Sequence, residues 1–241
     1  MKRKPKYEQI MNTIRERIRD GVYPVEQAIP DQNSLAKAFG VSRMTIKQAL
    51  DGLQMEGLIY SRRGDGTYVL GDIPQRLELN SPANLHPGLT AELGAAHITT
   101  KVIKFDIVKS NELLQKKLLI PGNAPVFDII RLRQVDGHPY VLEHTYMPQQ
   151  LMPGLNDDVL NHSIYHYLQQ TLGFKPGGAY RVIHADKAQE NDIEYLNCQP
   201  GDPVLEVEQI AWLKDGTRFE YSLSRNRFDV RGYTVLDINT N

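Results

Sequence analysis

Hydrogen-bond donors cluster in one short stretch of this 241-residue sequence, Ser42-Arg43-Met44-Thr45-Ile46-Lys47-Gln48-Ala49-Leu50. If the stretch is helical, Arg43, Thr45 and Lys47 lie near its start and are exposed. The opposite face is then an apolar stripe at helical spacing, formed by Ile46, Ala49, Leu50 and Leu53. A polar helix face is most often simply solvated, but donors in the first turns can also contact the base edges and phosphates of DNA.

The flanking residues predict how this helix is held. Ser42 is a good N-cap, and Gly57 is a good stop at the other end. A shorter helix over residues 32–39, capped by Asp31, comes just before it. Gly40 lies in the tight turn between the two helices, so the pair predicts a helix-turn-helix.

A hairpin is predicted after the second helix. Residues 58–63 and 67–69 form its strands, and Gly64-Asp65-Gly66 forms its turn. Arg62 and Arg63 lie beside the turn, where they are suited to phosphate or minor-groove contact. Two arginines alone would indicate only an ordinary charged turn. The prediction of DNA binding therefore rests on the combination of the caps, the two helices, the hairpin and the placement of the charges.

The run from Tyr7 to Val69 resembles the winged helix-turn-helix of GntR-type transcriptional regulators. The family often has arginine at the positions of Asn33 and Lys47, and lysine lacks the guanidinium fork that pairs with a base edge. The resemblance therefore implies DNA binding without giving the operator sequence. The matching pieces are Ile29-Pro30, Leu35-Ala36, Phe39-Gly40-Val41-Ser42-Arg43, Thr45, Ala49-Leu50, Gly57 and Gly66-Thr67-Tyr68-Val69.

The expected DNA contacts come from the helix pair and the wing. The residues are Gln32, Ser42, Arg43, Thr45, Lys47, Arg62, Arg63, Gly64, Gly66 and Thr67.

Charge is distributed unevenly along the chain. Residues 1–72 carry 12 Lys or Arg against 9 Asp or Glu, although the whole chain has a net charge of −1. A basic segment that holds the helix-turn-helix fits a DNA-binding module. The basic start, residues 1–6, either touches phosphates or is a disordered terminus. It lacks an apolar segment after it, and no run approaches the roughly 20 apolar residues of a membrane span, so a cytoplasmic protein is expected.

The second half predicts a mostly antiparallel sheet with helices packed on it. Hairpins are expected at Asp136-Gly137 and Lys214-Asp215-Gly216, and Ser110 is expected to cap a helix over residues 111–119. The fold class is therefore α+β. Because residues 71–87 are rich in proline and polar residues, the predicted domains are a winged helix-turn-helix at 1–72, a linker at 73–87 and an effector-binding and dimerisation domain at 88–241.

This half is similar to the effector domain of the HutC-like branch of the GntR family, the UTRA domain. The resemblance implies a chorismate-lyase-like fold that dimerises and binds small metabolites, often sugar phosphates or other anions. It covers roughly residues 88–237. The matching motifs are Ile130-Arg131-Leu132-Arg133, Asp136-Gly137-His138-Pro139, Glu143, Tyr146-Met147-Pro148, Ser163-Ile164-Tyr165, Glu220 and Arg225.

Arg131 and Arg133 are two residues apart on a predicted strand and therefore share a face. Two guanidinium groups repel each other unless an anion lies between them, and phosphate or carboxylate fits their geometry. Spacing alone favours two solvated arginines; the family resemblance favours anion binding, with Ser163 at a helix N-terminus assisting. The expected effector-binding residues are Leu89, Thr90, Arg131, Arg133, Glu143, Ser163, Tyr165, Glu220 and Arg225.

Other kinds of site are not indicated. His162 and His166 have the spacing of metal ligands on a helix, but no third ligand stands at a diagnostic distance, so surface histidines are expected. The single cysteine, Cys198, is expected to be a buried bystander. We expect no metal, no cofactor and no catalytic residues.

The sequence thus predicts a homodimeric repressor that binds an operator with inverted-repeat half-sites and responds to a small anionic effector. Two alternatives remain. One is an enzyme on the lyase-like fold of the second half; the other is a constitutive DNA-binding protein whose second domain only dimerises.

Overall fold

The computed structural model describes residues 5–71, 80–82 and 88–234 and consists of two compact units. Of these, residues 5–71, 80–82 and 232–234 belong to the first unit, and residues 88–231 belong to the second. The basic start at residues 1–4 and most of the predicted linker lie outside the described residues. No helix of the described chain is long and apolar enough to cross a membrane.

The first unit contains three helices and a three-stranded antiparallel sheet, with the strands in the order β1-β3-β2. The predicted helix pair and wing are both present. The segment before α2 contains a short strand that the sequence did not predict, β1, which pairs with β3. Two residues are too short for an alternation signal in the sequence. The elements are α1 (Lys6–Arg19), α2 (Gln32–Phe39), α3 (Arg43–Met55), β1 (Ala28–Ile29), β2 (Ile59–Arg62) and β3 (Gly66–Val69).

The caps that delimit α2 and α3 are the predicted ones. Asp31 accepts hydrogen bonds from the backbone N–H groups of Asn33 and Ser34, and Ser42 accepts one from Thr45. Gly40 ends α2 with φ +61°, a conformation that glycine adopts without strain. The apolar stripe of α3 packs on α1 and the wing strands, which fixes the exposed face of α3. The buried core is Ile10, Ile14, Ile18, Ile29, Leu35, Ile46, Ala49, Leu50, Leu53, Leu58, Ile59 and Val69.

The second unit is built on a six-stranded antiparallel sheet with the strand order β5-β6-β7-β10-β9-β8. Strands β6 and β7 are joined by the predicted Asp136-Gly137 turn. Both turn residues have positive φ, 48° and 81°, as a two-residue hairpin requires. The strands are β5 (Ile98–Lys109), β6 (Pro125–Val135), β7 (His138–Pro148), β8 (Pro176–Lys187), β9 (Pro203–Leu213) and β10 (Arg218–Arg227).

Short helices connect and cover these strands. The predicted cap Ser110 was wrong: the side chain of Asn111 accepts from Leu114 N–H, while Ser110 donates to the carbonyl of Pro121. Both residues are good caps, so the sequence alone did not separate them. The helices are α4 (Leu89–Leu93), α5 (Glu112–Leu118), α6 (Asp157–Asn161), α7 (Ile164–His166) with a π-helical turn (Tyr167–Thr171), and α8 (Glu190–Tyr195).

The two faces of the sheet are covered by different helices. The face that carries Arg131 packs through Phe127 and Met147 against Leu160 of α6 and Ile164 of α7, and we call it the α7 face. The opposite face, the α5 face, packs against α5 and α8 through residues such as Tyr221, Leu132 and Leu142. Cys198 is buried against this face, as expected.

A separate two-stranded parallel ladder belongs to the first unit. It pairs β4 (Asn80–Pro82), within the predicted linker, with β11 (Gly232–Thr234) near the C-terminus. Neither strand was predicted, because each has only three residues and lies in a segment with little periodicity. The ladder joins two segments that are about 150 residues apart in the sequence.

Candidate functional site

The start of α3 brings together four of the predicted DNA-binding side chains. The Arg43 Nε atom donates to Oε1 of Gln32 over 3.1 Å, which links the recognition helix to α2. The hydroxyls of Ser42 and Thr45 lie 2.9 Å apart. All four residues are exposed or half-exposed, so their donors are available to a DNA partner.

Lys47 lies one turn further along α3. Its ammonium group is 2.8 Å from the carboxylate of Asp51, and both side chains are about half exposed. An exposed pair at this spacing contributes only a few tenths of a kcal/mol, so a phosphate can replace the carboxylate at low cost. Met44 is exposed on the same helix start, at 72% of its surface.

The two wing arginines have different surroundings. The Arg62 guanidinium lies over the rings of Tyr60 and Tyr68, at 5.4 and 4.9 Å, and also donates to the Tyr60 hydroxyl. A hydrogen bond to Asp65 raises the pKa of Tyr68. Arg63 is exposed, and within the described part of the chain it makes no hydrogen bond or ion pair. Arg62 thus shapes the wing, while Arg63 is available for a partner.

The turn residues of the wing are placed as predicted. Gly64 and Gly66 have φ of +79° and +147°, which favour glycine. The hydroxyl of Thr67 is 3.3 Å from that of Ser61 on the paired strand. These residues set the hairpin shape and leave their backbone exposed at the tip.

In the second unit, Arg131 and Arg133 lie on the α7 face and are both buried, at 5% and 4% exposure. Glu143 is directly across from Arg131 on β7, and the two form a salt bridge of 2.6 Å. The same carboxylate is 3.8 Å from Arg133. Arg131 also donates to the carbonyl of Leu160 at the end of α6. The alternative of two solvated arginines, which their spacing alone favoured, is therefore wrong.

This cluster carries more positive than negative charge. One carboxylate faces two guanidinium groups, and burial lowers the pKa of Arg133, with Arg131 adding to that effect and Glu143 opposing it. The Nε atoms of Arg131 and Arg133 are buried without a hydrogen-bond partner among the described residues. An anion at this point would supply the missing acceptors and the missing charge.

Helix α4 covers the cluster from one side. Thr90 accepts a hydrogen bond of 2.8 Å from Arg133, and its neighbour Leu89 is buried. Gly88, with φ +89°, precedes the helix and lies close to Tyr165. Ser163 caps α7 by accepting from His166 N–H over 3.1 Å. Thr90, Arg131, Arg133 and Glu143 are thus joined by direct contacts.

Tyr165 and Glu220 belong to a buried polar network next to the cluster. Gln209 donates to the Tyr165 hydroxyl over 3.3 Å and to Glu220 over 2.7 Å, and Ser222 also donates to Glu220. Burial raises the pKa of Glu220 and holds that of Tyr165 well above its usual value. Gln209 and Ser222 were missed from the sequence, although their two-residue alternation with Glu220 and Ala211 was a usable signal.

Arg225 is not brought to this site. It lies opposite Leu142 on the α5 face and pairs with Asp192 at 2.8 Å, Asp186 at 2.9 Å and Glu206. Three carboxylates around one guanidinium form a structural cluster that holds α8 on the sheet. Residues 220 and 225 are five apart on β10, so their side chains lie on opposite faces of the sheet. The family motif placed both residues in the effector site because it does not take this alternation into account.

The two histidines at helical spacing are not brought together with other metal ligands. Among the described residues, no group of three His, Cys, Asp or Glu side chains could hold a metal ion. His162 is exposed and contacts the backbone carbonyl of Asp158.

Comparison with known proteins gives the same division of the chain. Residues 6–69 match the model for bacterial regulatory proteins of the gntR family, and residues 95–230 match the UTRA domain. The chain is 46% identical over 233 residues to the HTH-type transcriptional regulator GmuR of Bacillus subtilis, covering 97% of this chain and 98% of the relative. It is 32% identical over 235 residues to the mannosyl-D-glycerate transport/metabolism system repressor MngR of Escherichia coli, covering 97% and 95%.

Solved structures agree with the fold. The crystal structure of the protein YydK of Bacillus subtilis superposes with a TM-score of 0.78 at 26% identity, covering 97% of this chain and 100% of that one. The effector-binding domain of the Bacillus subtilis trehalose repressor TreR matches 59% of this chain and 99% of its own, with a TM-score of 0.53 and 28% identity. The expected α+β fold is confirmed. The chain therefore belongs to the GntR family, in its HutC-like branch, and is a DNA-binding transcriptional regulator with a UTRA effector-binding domain rather than an enzyme.

Proposed function

We propose that this regulator is a homodimeric repressor whose operator affinity is controlled by a sugar phosphate or a similarly anionic sugar derivative. The names of its relatives support the sugar class: MngR is a repressor of a mannosyl-D-glycerate system, and TreR is a trehalose repressor. Both are similar to this chain over the effector domain.

The observation that carries the proposal is the buried arginine pair. Arg131 and Arg133 share one carboxylate, Glu143, and each has a buried Nε atom without a partner among the described residues. A buried guanidinium that lacks a full set of partners destabilises the folded protein. Two such groups side by side are therefore more readily explained by a function than by stability. Binding of an anionic ligand provides one.

We assign the anionic group of the effector to Arg131, Arg133 and the hydroxyls of Thr90 and Ser163. Thr90 and Ser163 lie at the starts of α4 and α7, so backbone N–H groups stand beside their hydroxyls. Glu143 orients Arg131. The network of Tyr165 and Glu220 lies next to the anion, and Leu89 is the buried neighbour of Thr90 at the start of α4. Arg225 is left out of this assignment because it serves the α5 face.

A ligand can control DNA binding only if it binds the two functional states with different affinity. In this proposal, the anion draws α4, α6 and α7 toward the arginines. A dimer with two winged heads binds half-sites related by a two-fold axis, so a change in head spacing or mobility alters operator affinity.

The proposal is tested by fluorescence anisotropy on an operator selected in vitro with the intact protein. A panel of hexose and disaccharide phosphates is added to the wild type, to Arg133→Gln and to Lys109→Gln. Lys109 is an exposed cation of the same unit, so its variant controls for the loss of one positive charge. At least one phosphate should release the wild type and Lys109→Gln but not Arg133→Gln. Release of all three proteins, or of none, would reject the assignment; the second result would favour a constitutive DNA-binding protein.

A further inference from the structure

Four neighbouring strands place Thr100, Arg133, Val141 and Asn226 side by side on the α7 face. Thr100 lies opposite Arg133, and Arg133 lies opposite Val141. Ser224 lies opposite Glu143, so Asn226, two residues further along β10, faces the same side beside Val141. At roughly 4.8 Å between strands, the Cα atoms of Arg133 and Asn226 are about 10 Å apart.

Polar atoms along this row are buried without partners. Asn226 is completely buried, and neither its amide oxygen nor its amide nitrogen has a hydrogen-bond partner among the described residues. The Oγ1 atom of Thr100 and the Nε atom of Arg133 are in the same situation. About nine in ten buried polar groups in proteins are hydrogen-bonded, so several unpaired ones in one row need an explanation, and a bound molecule that supplies the partners is one.

The chemistry of the row differs from one end to the other. A guanidinium only donates hydrogen bonds and carries a charge, so Arg133 selects an anion. A carboxamide has one acceptor oxygen and two N–H donors next to each other, so Asn226 suits a group that both donates and accepts. A sugar hydroxyl has this property, and a phosphate oxygen does not.

We propose that Asn226 is a second recognition point of the effector site and binds a hydroxyl of the neutral, polyhydroxylated part of the ligand. The anionic group of the same ligand lies at Arg131 and Arg133. This inference rests on the proposed function and narrows it: the effector carries hydroxyls at a distance from its anionic group. A simple anion such as phosphate or a short dicarboxylate leaves Asn226 unsatisfied.

A first measurement separates a ligand-binding asparagine from a structural one. Leucine has nearly the same shape as asparagine, so Asn226→Leu removes the unpaired groups without opening a cavity. A ligand-free protein with unpaired amide atoms should gain thermal stability from this change. A matched control is Asn111→Leu, which removes a cap that does accept a hydrogen bond and should lower the melting temperature. A lower melting temperature of Asn226→Leu would show that the amide is structural and overturn the inference.

A second measurement tests selectivity. Inorganic phosphate, and the hexose or disaccharide phosphate that most stabilises the wild type, are titrated calorimetrically into the wild type, Asn226→Leu and Arg133→Gln. The ratio of sugar-phosphate affinity to phosphate affinity should fall about tenfold in Asn226→Leu, because one or two neutral hydrogen bonds are lost. Arg133→Gln should instead lower the affinity for inorganic phosphate and for the sugar phosphate alike. An unchanged ratio in Asn226→Leu would overturn the inference while leaving the anionic effector intact.

The same titrations distinguish the anionic effector from the hydroxyl site at Asn226 when no phosphate binds. If a neutral disaccharide binds the wild type but not Asn226→Leu, and no phosphate binds, the anionic effector is rejected and the hydroxyl site is retained. If neither phosphates nor neutral sugars bind the wild type, both proposals are rejected.

Discussion

The two arginines of the wing have different roles, one structural and one available for DNA contact. Arg62 is held by two tyrosine rings and by Asp65, whereas Arg63 is exposed. The sequence placed both at the tip but did not separate their roles, because the tyrosines that hold Arg62 come from both strands of the hairpin. Cation–π contacts at exposed sites contribute about 0.5–1 kcal/mol each.

Arg63→Ala should therefore weaken binding to all DNA sequences and reduce the salt dependence by about one unit of slope, as expected when one phosphate contact is lost. Its melting temperature should stay unchanged. Arg62→Ala should instead lower the stability of the wing and reduce DNA affinity through that loss. Salt titrations of binding together with thermal melts measure both effects; a stability loss in Arg63→Ala alone would reverse the assignment.

Arg43 is the residue expected to read a base edge. Its link to Gln32 holds the guanidinium over the start of the recognition helix. Arg43→Ala should cost about 1–3 kcal/mol on the selected operator and much less on random DNA. Arg19→Ala, which removes an exposed arginine from α1, serves as the control. An equal loss of affinity for the selected operator and for random DNA would show that Arg43 contacts a phosphate and not a base edge.

Residue-level predictions succeeded where a local pattern determined the outcome. The shared face of Arg131 and Arg133 followed from alternation along β6. Their burial beneath α4 and α6, and the neutralising position of Glu143, depend on tertiary packing that the sequence does not display. Asn226 could not be identified from the sequence, because what distinguishes it is a buried amide without hydrogen-bond partners among the described residues, and this is visible only in the folded structure.

At the scale of elements, the helix-turn-helix was predictable because caps, glycine stops and apolar spacing agree. The helix starts at Asp31 and Ser42 and the left-handed residue Gly40 were all confirmed. Very short elements were missed, namely β1, β4 and β11, since strands of two or three residues form only through their tertiary partners.

Ser42 tests how far the recognition helix depends on its cap. Ser42→Ala should lower stability by about 1 kcal/mol, and Ser42→Gly by only a few tenths. If the hydroxyl serves only as a cap, operator affinity should follow the same order. A loss of operator affinity that is equal in both variants would show that the hydroxyl itself contacts DNA.

The whole molecule combines a DNA-binding unit with an effector-binding unit in one chain. The two-fold symmetry of the proposed dimer predicts two inverted half-sites whose centres lie about one helical turn, or a multiple of it, apart. Sedimentation should give a dimer for the intact protein, and footprinting should give two protected half-sites. A monomer bound to a single half-site would contradict this part of the proposal.

The proposed function depends most on the binding of an anionic effector by the buried arginines Arg131 and Arg133. Calorimetric titration tests it directly, with the phosphorylated sugar that most stabilises the wild type as the ligand and Arg133→Glu as the variant. Arginine–phosphate hydrogen bonds are charge-assisted and roughly twice as strong as neutral ones, so reversing the charge should abolish binding. Operator binding by the variant in the same preparation shows that the protein is folded. We expect strong binding to the wild type and none to Arg133→Glu; equal affinity for the two proteins would contradict the proposed site.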